Sequence, residues 1–147
     1  MSVTCQNFGE KFLTGRFKEI YESTSESFQQ LVTLEHFTEI GQQFNEGVES
    51  YSILFQNEFL GAKQTVWLDD QHTHAIHVMF QEDIITSLFI KQYVVYPESD
   101  AVFTKNTYRL PFNDEWFVFW GGTNEFVNYH YAYETQRYAY DFVKVED

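Results

Sequence analysis

Residues 51–96 read YSILFQNEFLGAKQTVWLDDQHTHAIHVMFQEDIITSLFIKQYVVY, and a two-residue period of apolar side chains is visible at 51, 53 and 55 and again at 76, 78 and 80. This period is typical of β-strands. Turn-forming residues interrupt it at Gly61, at 69–71 and at 81–83. Strands joined by such short turns pair with their neighbours in antiparallel fashion. The stretch therefore predicts an antiparallel meander of three or four strands, the last of which spans 84–96.

The first 47 residues have a helical period instead, with breaks that indicate three short helices and one longer helix. Ser25 and Thr33 are predicted N-caps because their hydroxyl groups can accept free backbone N–H groups. Gly47 is the predicted C-cap of the fourth helix. Helices followed by antiparallel strands predict an α+β fold, in which the helices pack on one face of a curved antiparallel sheet. Such a sheet leaves an apolar pocket at its open end.

Composition restricts the classes of partner. The chain has 147 residues, of which 9 are Lys or Arg and 22 are Asp or Glu, so its formal net charge is −13. This charge argues against binding to nucleic acids and to anionic membranes. The longest apolar runs, such as Trp116–Trp120, are too short to cross a bilayer. The single cysteine, Cys5, excludes an internal disulfide. If Met1 is the native start, the polar segment Met1–Asn7 predicts a cytoplasmic protein.

Several side chains in the first part of the chain could carry chemistry. His72 and His74 fall on one face of a predicted strand and could share a metal ion, or could lie at its solvated start. The carboxylate pairs at 69–70 and 82–83 could divide acid and base roles, or could stabilise turns. Cys5 has no predicted base beside it. We therefore predict no catalytic group, no metal and no cofactor in this chain.

A polar connector at 98–107 precedes an aromatic tail, which predicts strands added to the sheet or a separate hairpin. The segments with this composition are Tyr108–Leu110, Trp116–Trp120, Phe126–Tyr133 and Tyr138–Val145. The aromatic side chains around Trp116–Trp120 cannot all be buried on one strand face. Either both faces are covered, or one is exposed and binds sugar rings, peptides or another protein domain. We predict two domains, 1–97 and 98–147.

The order of elements carries a first resemblance. Residues 6–96 resemble the domain-of-unknown-function family 3887, which is similar to the nuclear transport factor 2-like superfamily. The resemblance lies in the interrupted helix FLTGRF (12–17), in the later helix LEHF (34–37) and in the meander that ends in Ile84–Tyr93. It implies a nuclear transport factor 2-like cone for 1–97, followed by a C-terminal β extension.

The aromatic tail carries a second resemblance. WFVFWGGTNE at 116–125, NYH at 128–130 and QRYAYDF at 136–142 resemble the lead-in to a lysostaphin-type zinc metallopeptidase domain. That family cuts peptidoglycan crosslinks and has a His-x-x-x-Asp zinc motif. Asp141 falls on the motif's Asp, but Arg137 falls on its His, and arginine has no lone pair for zinc. The family's later His-x-His motif is expected well downstream of Asp141, and no His-x-His follows Asp141 within the 147 residues.

We therefore expect no catalytic activity from this chain alone. The resemblance implies a non-catalytic accessory or recognition module, with a downstream peptidase-like domain or a second copy of the chain as its partner. The alternative is a nuclear transport factor 2-like small-molecule binder or enzyme, which would need a titratable pair in the cone pocket. The candidate ligand or partner surface comprises Trp116, Trp120, Tyr129, His130, Arg137 and Asp141.

Overall fold

The computed structural model describes residues 2–145, and the chain divides into two compact units, residues 1–93 and 94–147. In the first unit, four helices precede four strands. The helices are α1 (Phe8–Leu13), α2 (Phe17–Glu22), α3 (Glu26–Leu31) and α4 (Leu34–Phe44). The strands are β1 (Tyr51–Phe59), β2 (Ala62–Asp69), β3 (His74–Gln81) and β4 (Ile84–Gln92). They form one antiparallel sheet in the order β1-β2-β3-β4, which confirms the predicted α+β class and the meander.

Tight turns fix the register of this sheet. Leu60 and Gly61 both have positive φ, 49° and 78°, as in the two-residue turns that match the twist of antiparallel strands. Phe59 consequently pairs with Ala62. Glu82, with a φ of 55°, lies in the turn between β3 and β4. Both turns were predicted from the sequence.

The core of the first unit lies between the helices and the sheet. Phe12 and Ile20 from the helices and Ile76 from β3 are all fully buried in one apolar cluster. Gly41 on α4 allows a close approach, because a Cβ atom there would clash with the ring of Phe17. Burial of large apolar side chains is the main source of stability in such a unit.

Local capping confirms two helix starts and corrects one helix end. The hydroxyl of Ser25 accepts a hydrogen bond from the backbone of Phe28, and Thr33 caps α4 in the same way. Gly47 does not cap α4 directly, because the helix ends at Phe44 and Gly47 lies in the following turn with a φ of 77°.

Two strand predictions in the first unit are wrong at their ends. The last strand stops at Gln92 rather than residue 96, because Gln92 lies opposite His74, where its partner β3 begins. His72 lies outside β3, in a loop where its φ is 57°. The Asp69 carboxylate holds that loop by accepting from the backbone N–H groups of Thr73 and His74. His72 and His74 therefore do not share a strand face.

The second unit has little regular structure. Its elements are α5 (Pro97–Asp100), β5 (Phe117–Trp120), a 3-10 helix (Tyr129–Ala132) and β6 (Asp141–Val143). β5 and β6 form their own two-stranded antiparallel sheet, which confirms the separate pairing among the two alternatives. No helix within residues 2–145 could span a bilayer, since even α4 has only 11 residues.

Two of the four predicted β segments in the tail are wrong. Tyr108–Leu110 has no strand. Phe126–Tyr133 forms turns and the 3-10 helix, because Asn124 and Asn128 accept hydrogen bonds from nearby backbone N–H groups. Such local bonds compete with the pairing that a strand requires.

Candidate functional site

A bulge in the β5–β6 ladder separates the two tryptophans of the predicted surface. The register places Val118 opposite Phe142 and Trp120 opposite Asp141, so β5 has an extra residue between these pairs. Without this residue, Trp116 and Trp120 would fall on one face of an extended strand. The bulge instead aligns Trp120 with Asp141.

Four of the six predicted surface residues come together at this point: Trp120, Tyr129, His130 and Asp141, hereafter the His130 cluster. The ring centroids of Trp120 and Tyr129 are 5.4 Å apart, and those of Tyr129 and His130 are 3.9 Å apart. His130 Nε2 lies 3.1 Å from an Asp141 carboxylate oxygen. The cluster therefore joins an aromatic surface to a polar pair.

Both ring nitrogens of His130 face acceptors. Nε2 contacts Asp141, and Nδ1 lies 3.0 Å from the side-chain oxygen of Gln136. Desolvation lowers the pKa of His130, but the hydrogen bonds to Gln136 and Asp141 outweigh it, so the pKa lies above its ordinary value. A protonated imidazole donates from both nitrogens and has no free lone pair. In this state His130 orients Asp141 and cannot act as a base.

Burial divides the cluster into a support and a contact surface. His130 is 8% exposed, whereas Tyr129 is 48% exposed. The Asp141 side chain is 42% exposed, so only part of its carboxylate is enclosed by the pair with His130. A ligand can therefore reach the ring of Tyr129 and the carboxylate of Asp141 together.

Asn128 is the positioning residue that our sequence analysis missed. Its side chain is fully buried. The amide nitrogen lies 3.1 Å from the carbonyl oxygens of Gly122 and Arg137 and 3.3 Å from that of Ala139, while its oxygen accepts from the backbone of His130. Asn128 thus holds three loop segments around the cluster. Asparagine near Gly121-Gly122 was a visible turn signal, but the long-range partners were not.

The other two predicted surface residues lie outside the cluster. Trp116 contacts the ring of Phe112, with centroids 4.7 Å apart, and its indole N–H donates to the carbonyl of Asn113. Arg137 is 8% exposed, donates from Nε to the carbonyl of Tyr131 at 3.0 Å, and lies 3.7 Å from the ring centroid of Tyr96. The predicted six-residue surface is therefore divided among three places.

The groups that could have carried metal or acid–base chemistry have local roles. Asp69 is fully buried among donors, and the Asp70 carboxylate accepts from the backbone of Glu49 and Ser50. Cys5 is buried in the apolar core of the first unit. Within residues 2–145, no three His, Cys, Asp or Glu side chains are grouped so that they could hold a metal ion.

The first unit has an apolar cavity of about 130 Å³. Phe28 lines it from α3, Val32 from the loop that follows α3, and Leu88 from β4. No titratable side chain of residues 2–145 is among its lining residues. His77, on β3, is 7% exposed, and its ring stacks on Phe89. Burial lowers the pKa of His77 to about 4, and its Nδ1 has no hydrogen-bond partner within residues 2–145. The cavity offers apolar contacts only.

Compared with protein-family models, with curated proteins and with solved structures, the chain shows no significant match. The two resemblances named above therefore stay predictions.

Proposed function

We propose that this chain is a non-catalytic recognition module, and that its second unit binds a ligand through the His130 cluster. The observation that carries the proposal is the pairing of a half-exposed ring, Tyr129, with a half-exposed carboxylate, Asp141, on a buried histidine. Exposed aromatic rings that contact polar groups are common in binding surfaces because one side chain offers both apolar area and orientation.

The chemistry of the cluster suits a ligand with both apolar C–H faces and polar hydrogens. The rings of Tyr129 and Trp120 can pack on the apolar face of a sugar ring or on a peptide. The Asp141 carboxylate can accept hydrogen bonds from hydroxyl or amide groups. Peptidoglycan contains both sugars and peptides, and the resemblance of the tail to the lead-in of a peptidoglycan hydrolase makes it the ligand class that we propose.

The same contacts argue against hydrolysis by this chain. Both ring nitrogens of His130 are in hydrogen bonds. The protonated imidazole therefore has no lone pair with which to accept a further proton or to bind a metal ion. Arg137 donates from Nε to the carbonyl of Tyr131 and stacks on the ring of Tyr96, and it has no lone pair with which to replace a zinc-binding histidine. In this proposal the first unit, as a nuclear transport factor 2-like domain, is the support. A downstream peptidase-like domain or a second copy of the chain supplies any further activity.

Binding to peptidoglycan tests the proposal. We expect the purified chain to co-sediment with insoluble peptidoglycan, and Tyr129→Ala to weaken binding by about two- to tenfold, as loss of an aromatic contact does. Tyr133→Ala is the matched control because Tyr133 is 60% exposed and has no ring contact with the cluster.

Two results would contradict this function. Equal sedimentation of the Tyr129→Ala variant and the unaltered chain would exclude the His130 cluster as the binding surface. Zinc-dependent release of free amino groups from peptidoglycan by the purified chain would show that the chain is catalytic.

A second candidate function has one observation in its favour, the cavity of about 130 Å³ in the first unit. A nuclear transport factor 2-like binder would hold a small apolar molecule there, because Val32, Ile40 and Leu88 line the cavity. Benzene is a suitable probe. Saturable shifts of the Leu88 methyl signals would support this function, and unchanged signals would exclude it.

A further inference from the structure

Arg137 is a buried cation that has no anionic partner among residues 2–145. Its guanidinium has five N–H donors. Nε donates to the carbonyl of Tyr131, and the four N–H groups on the two terminal nitrogens have no acceptor within residues 2–145. The side chain is 8% exposed. Burial of a charge is unfavourable unless the charge is paired and hydrogen-bonded.

The carboxylate of Asp100, also in this unit, has other partners. Asp100 accepts hydrogen bonds from the hydroxyl groups of Tyr131 at 2.8 Å and Tyr138 at 2.7 Å. Arg137 instead has an aromatic partner, the ring of Tyr96, whose centroid lies 3.7 Å from the guanidinium carbon. Stacking on a ring satisfies the face of a guanidinium but leaves its in-plane N–H groups free.

Arg137 also lines a groove of about 420 Å³ within the second unit. Hereafter called the Arg137 groove, it is lined by Val95, Tyr96, Pro97, Glu98, Ser99 and Arg137. A volume of this order accommodates a small molecule. The groove thus combines one buried cation, one exposed carboxylate and apolar walls.

We propose that the Arg137 groove binds the carboxylate of an amino acid or peptide terminus with an apolar side chain. A planar carboxylate matches the two parallel donors of a guanidinium. Glu98 opposes a multiply charged anion such as phosphate and favours a ligand that also has an ammonium group. The net charge of −13 acts in the same direction. Val95 and Pro97 offer the apolar contact. This site is separate from the His130 cluster and does not depend on the proposed function.

The Nε–Hε signals of arginine provide a direct test, because the chain has only Arg16, Arg109 and Arg137. L-leucine is titrated into the ¹⁵N-labelled 147-residue chain, with L-leucinamide, acetate and inorganic phosphate as comparisons. We expect L-leucine to shift the Arg137 signal saturably and acetate to shift it more weakly. L-leucinamide, which lacks the carboxylate, leaves it unchanged. The exposed Arg16 and Arg109 are internal controls for non-specific ion effects.

Variants separate the two ends of the ligand. Glu98→Gln removes an exposed charge. We expect it to weaken the binding of L-leucine about two- to fivefold and to leave the binding of acetate unchanged. Arg137→Lys keeps the charge but loses the two parallel donors, so we expect that L-leucine no longer shifts the backbone amide signals of Glu98 and Ser99, which line the groove, in a variant that melts like the unaltered chain. Tyr129→Ala leaves the Arg137 response unchanged, which distinguishes this site from the His130 cluster.

The proposal is overturned if L-leucine leaves the Arg137 signal unmoved at tens of millimolar. Equal shifts of all three arginines would overturn it as well, because they would show only ionic screening. A saturable response to phosphate without one to acetate or L-leucine would overturn the assignment to a carboxylate.

Discussion

Each of the two units of this chain is stabilised internally by a different kind of interaction. In residues 1–93, helices and strands bury an apolar cluster that includes Phe8, Phe12 and Ile76. In residues 94–147, two short strands are accompanied by loops that Asn128 and Tyr131 connect through side-chain hydrogen bonds. Periodic burial produces regular elements, whereas convergent hydrogen bonds can hold loops in irregular geometries. The surfaces that we assign to binding lie in the second kind of unit.

The two buried histidines show the same contrast. His77 stacks on Phe89 and leaves Nδ1 without a partner within residues 2–145. His130 places both nitrogens against Gln136 and Asp141. Burial alone lowers the pKa of His77, whereas polar partners raise that of His130. Whether a buried histidine is a candidate for function therefore depends on its hydrogen-bond partners and not on its burial alone.

The largest expected effect is on the apolar core. Phe12 is fully buried and its ring contacts those of Phe17, Phe37 and Phe44. We expect Phe12→Ala to lower the free energy of unfolding by about 4 kcal/mol, through lost transfer energy and a cavity. Urea denaturation followed by far-UV circular dichroism measures it. Phe103→Ala is the control, because Phe103 is 85% exposed; similar losses in both variants would contradict the assignment of the core.

Removing the polar hub of the second unit is the next largest change. Asn128→Ala removes the side-chain amide that bonds the buried carbonyl of Arg137 and the half-buried carbonyls of Gly122 and Ala139, so we expect a loss of about 3 kcal/mol. Hydrogen exchange of the amides between residues 122 and 139 reports where the loss occurs. Asn106→Ala is the matched control, since Asn106 is exposed. Unchanged exchange in the Asn128→Ala variant would show that hydrogen bonds do not hold this unit together.

Acid destabilisation should depend on His77. Its folded pKa of about 4 lies below the ordinary 6.5, so its contribution is complete above pH 6.5 and is lost as the pH falls toward 4. We expect this contribution to fall by about 2 kcal/mol between pH 7 and pH 5. The measurement is the difference in unfolding free energy between the unaltered chain and His77→Leu at each pH. A difference that is independent of pH would contradict the buried, neutral state of His77.

The smallest expected effect has the opposite sign and concerns His130. Because its folded pKa is raised, its contribution to stability is complete below pH 6.5 and is lost as the pH rises through the folded pKa. An NMR titration of the ring Cε1–H should give a midpoint above 6.5. Asp141→Asn removes the negative partner, so we expect the midpoint to fall. A midpoint that the variant leaves in place would show that Asp141 does not hold the proton on His130.

Sequence periodicity predicted the first unit because each of its helices and strands has the apolar spacing typical of its type. The helical spacing before Gly47 and the two-residue period after it are local signals of burial. Ser25 and Thr33 cap helices through bonds to residues three positions away, so their roles were also visible locally. The end of β4 was not, because it depends on where its partner β3 begins.

The candidate site was only partly predictable. Aromatic composition pointed to the segment in which Tyr129, His130 and Asp141 lie together. The separation of Trp116 from Trp120 depends on a bulge, which no local pattern indicated. The role of Asn128 depends on carbonyl groups up to 11 residues away, and such partners arise from the tertiary structure.

The most direct test of the recognition module uses the chain's three tryptophans. Trp67 lies in the core of the first unit, Trp116 contacts Phe112, and Trp120 belongs to the His130 cluster. Soluble disaccharide-peptide fragments of peptidoglycan are added to the ¹⁵N-labelled chain, and the indole N–H signals are followed. We predict a saturable shift of the Trp120 signal, with Trp67 and Trp116 unmoved. No shift at Trp120, or a shift at Trp67 or Trp116 alone, would contradict the assignment of binding to the His130 cluster.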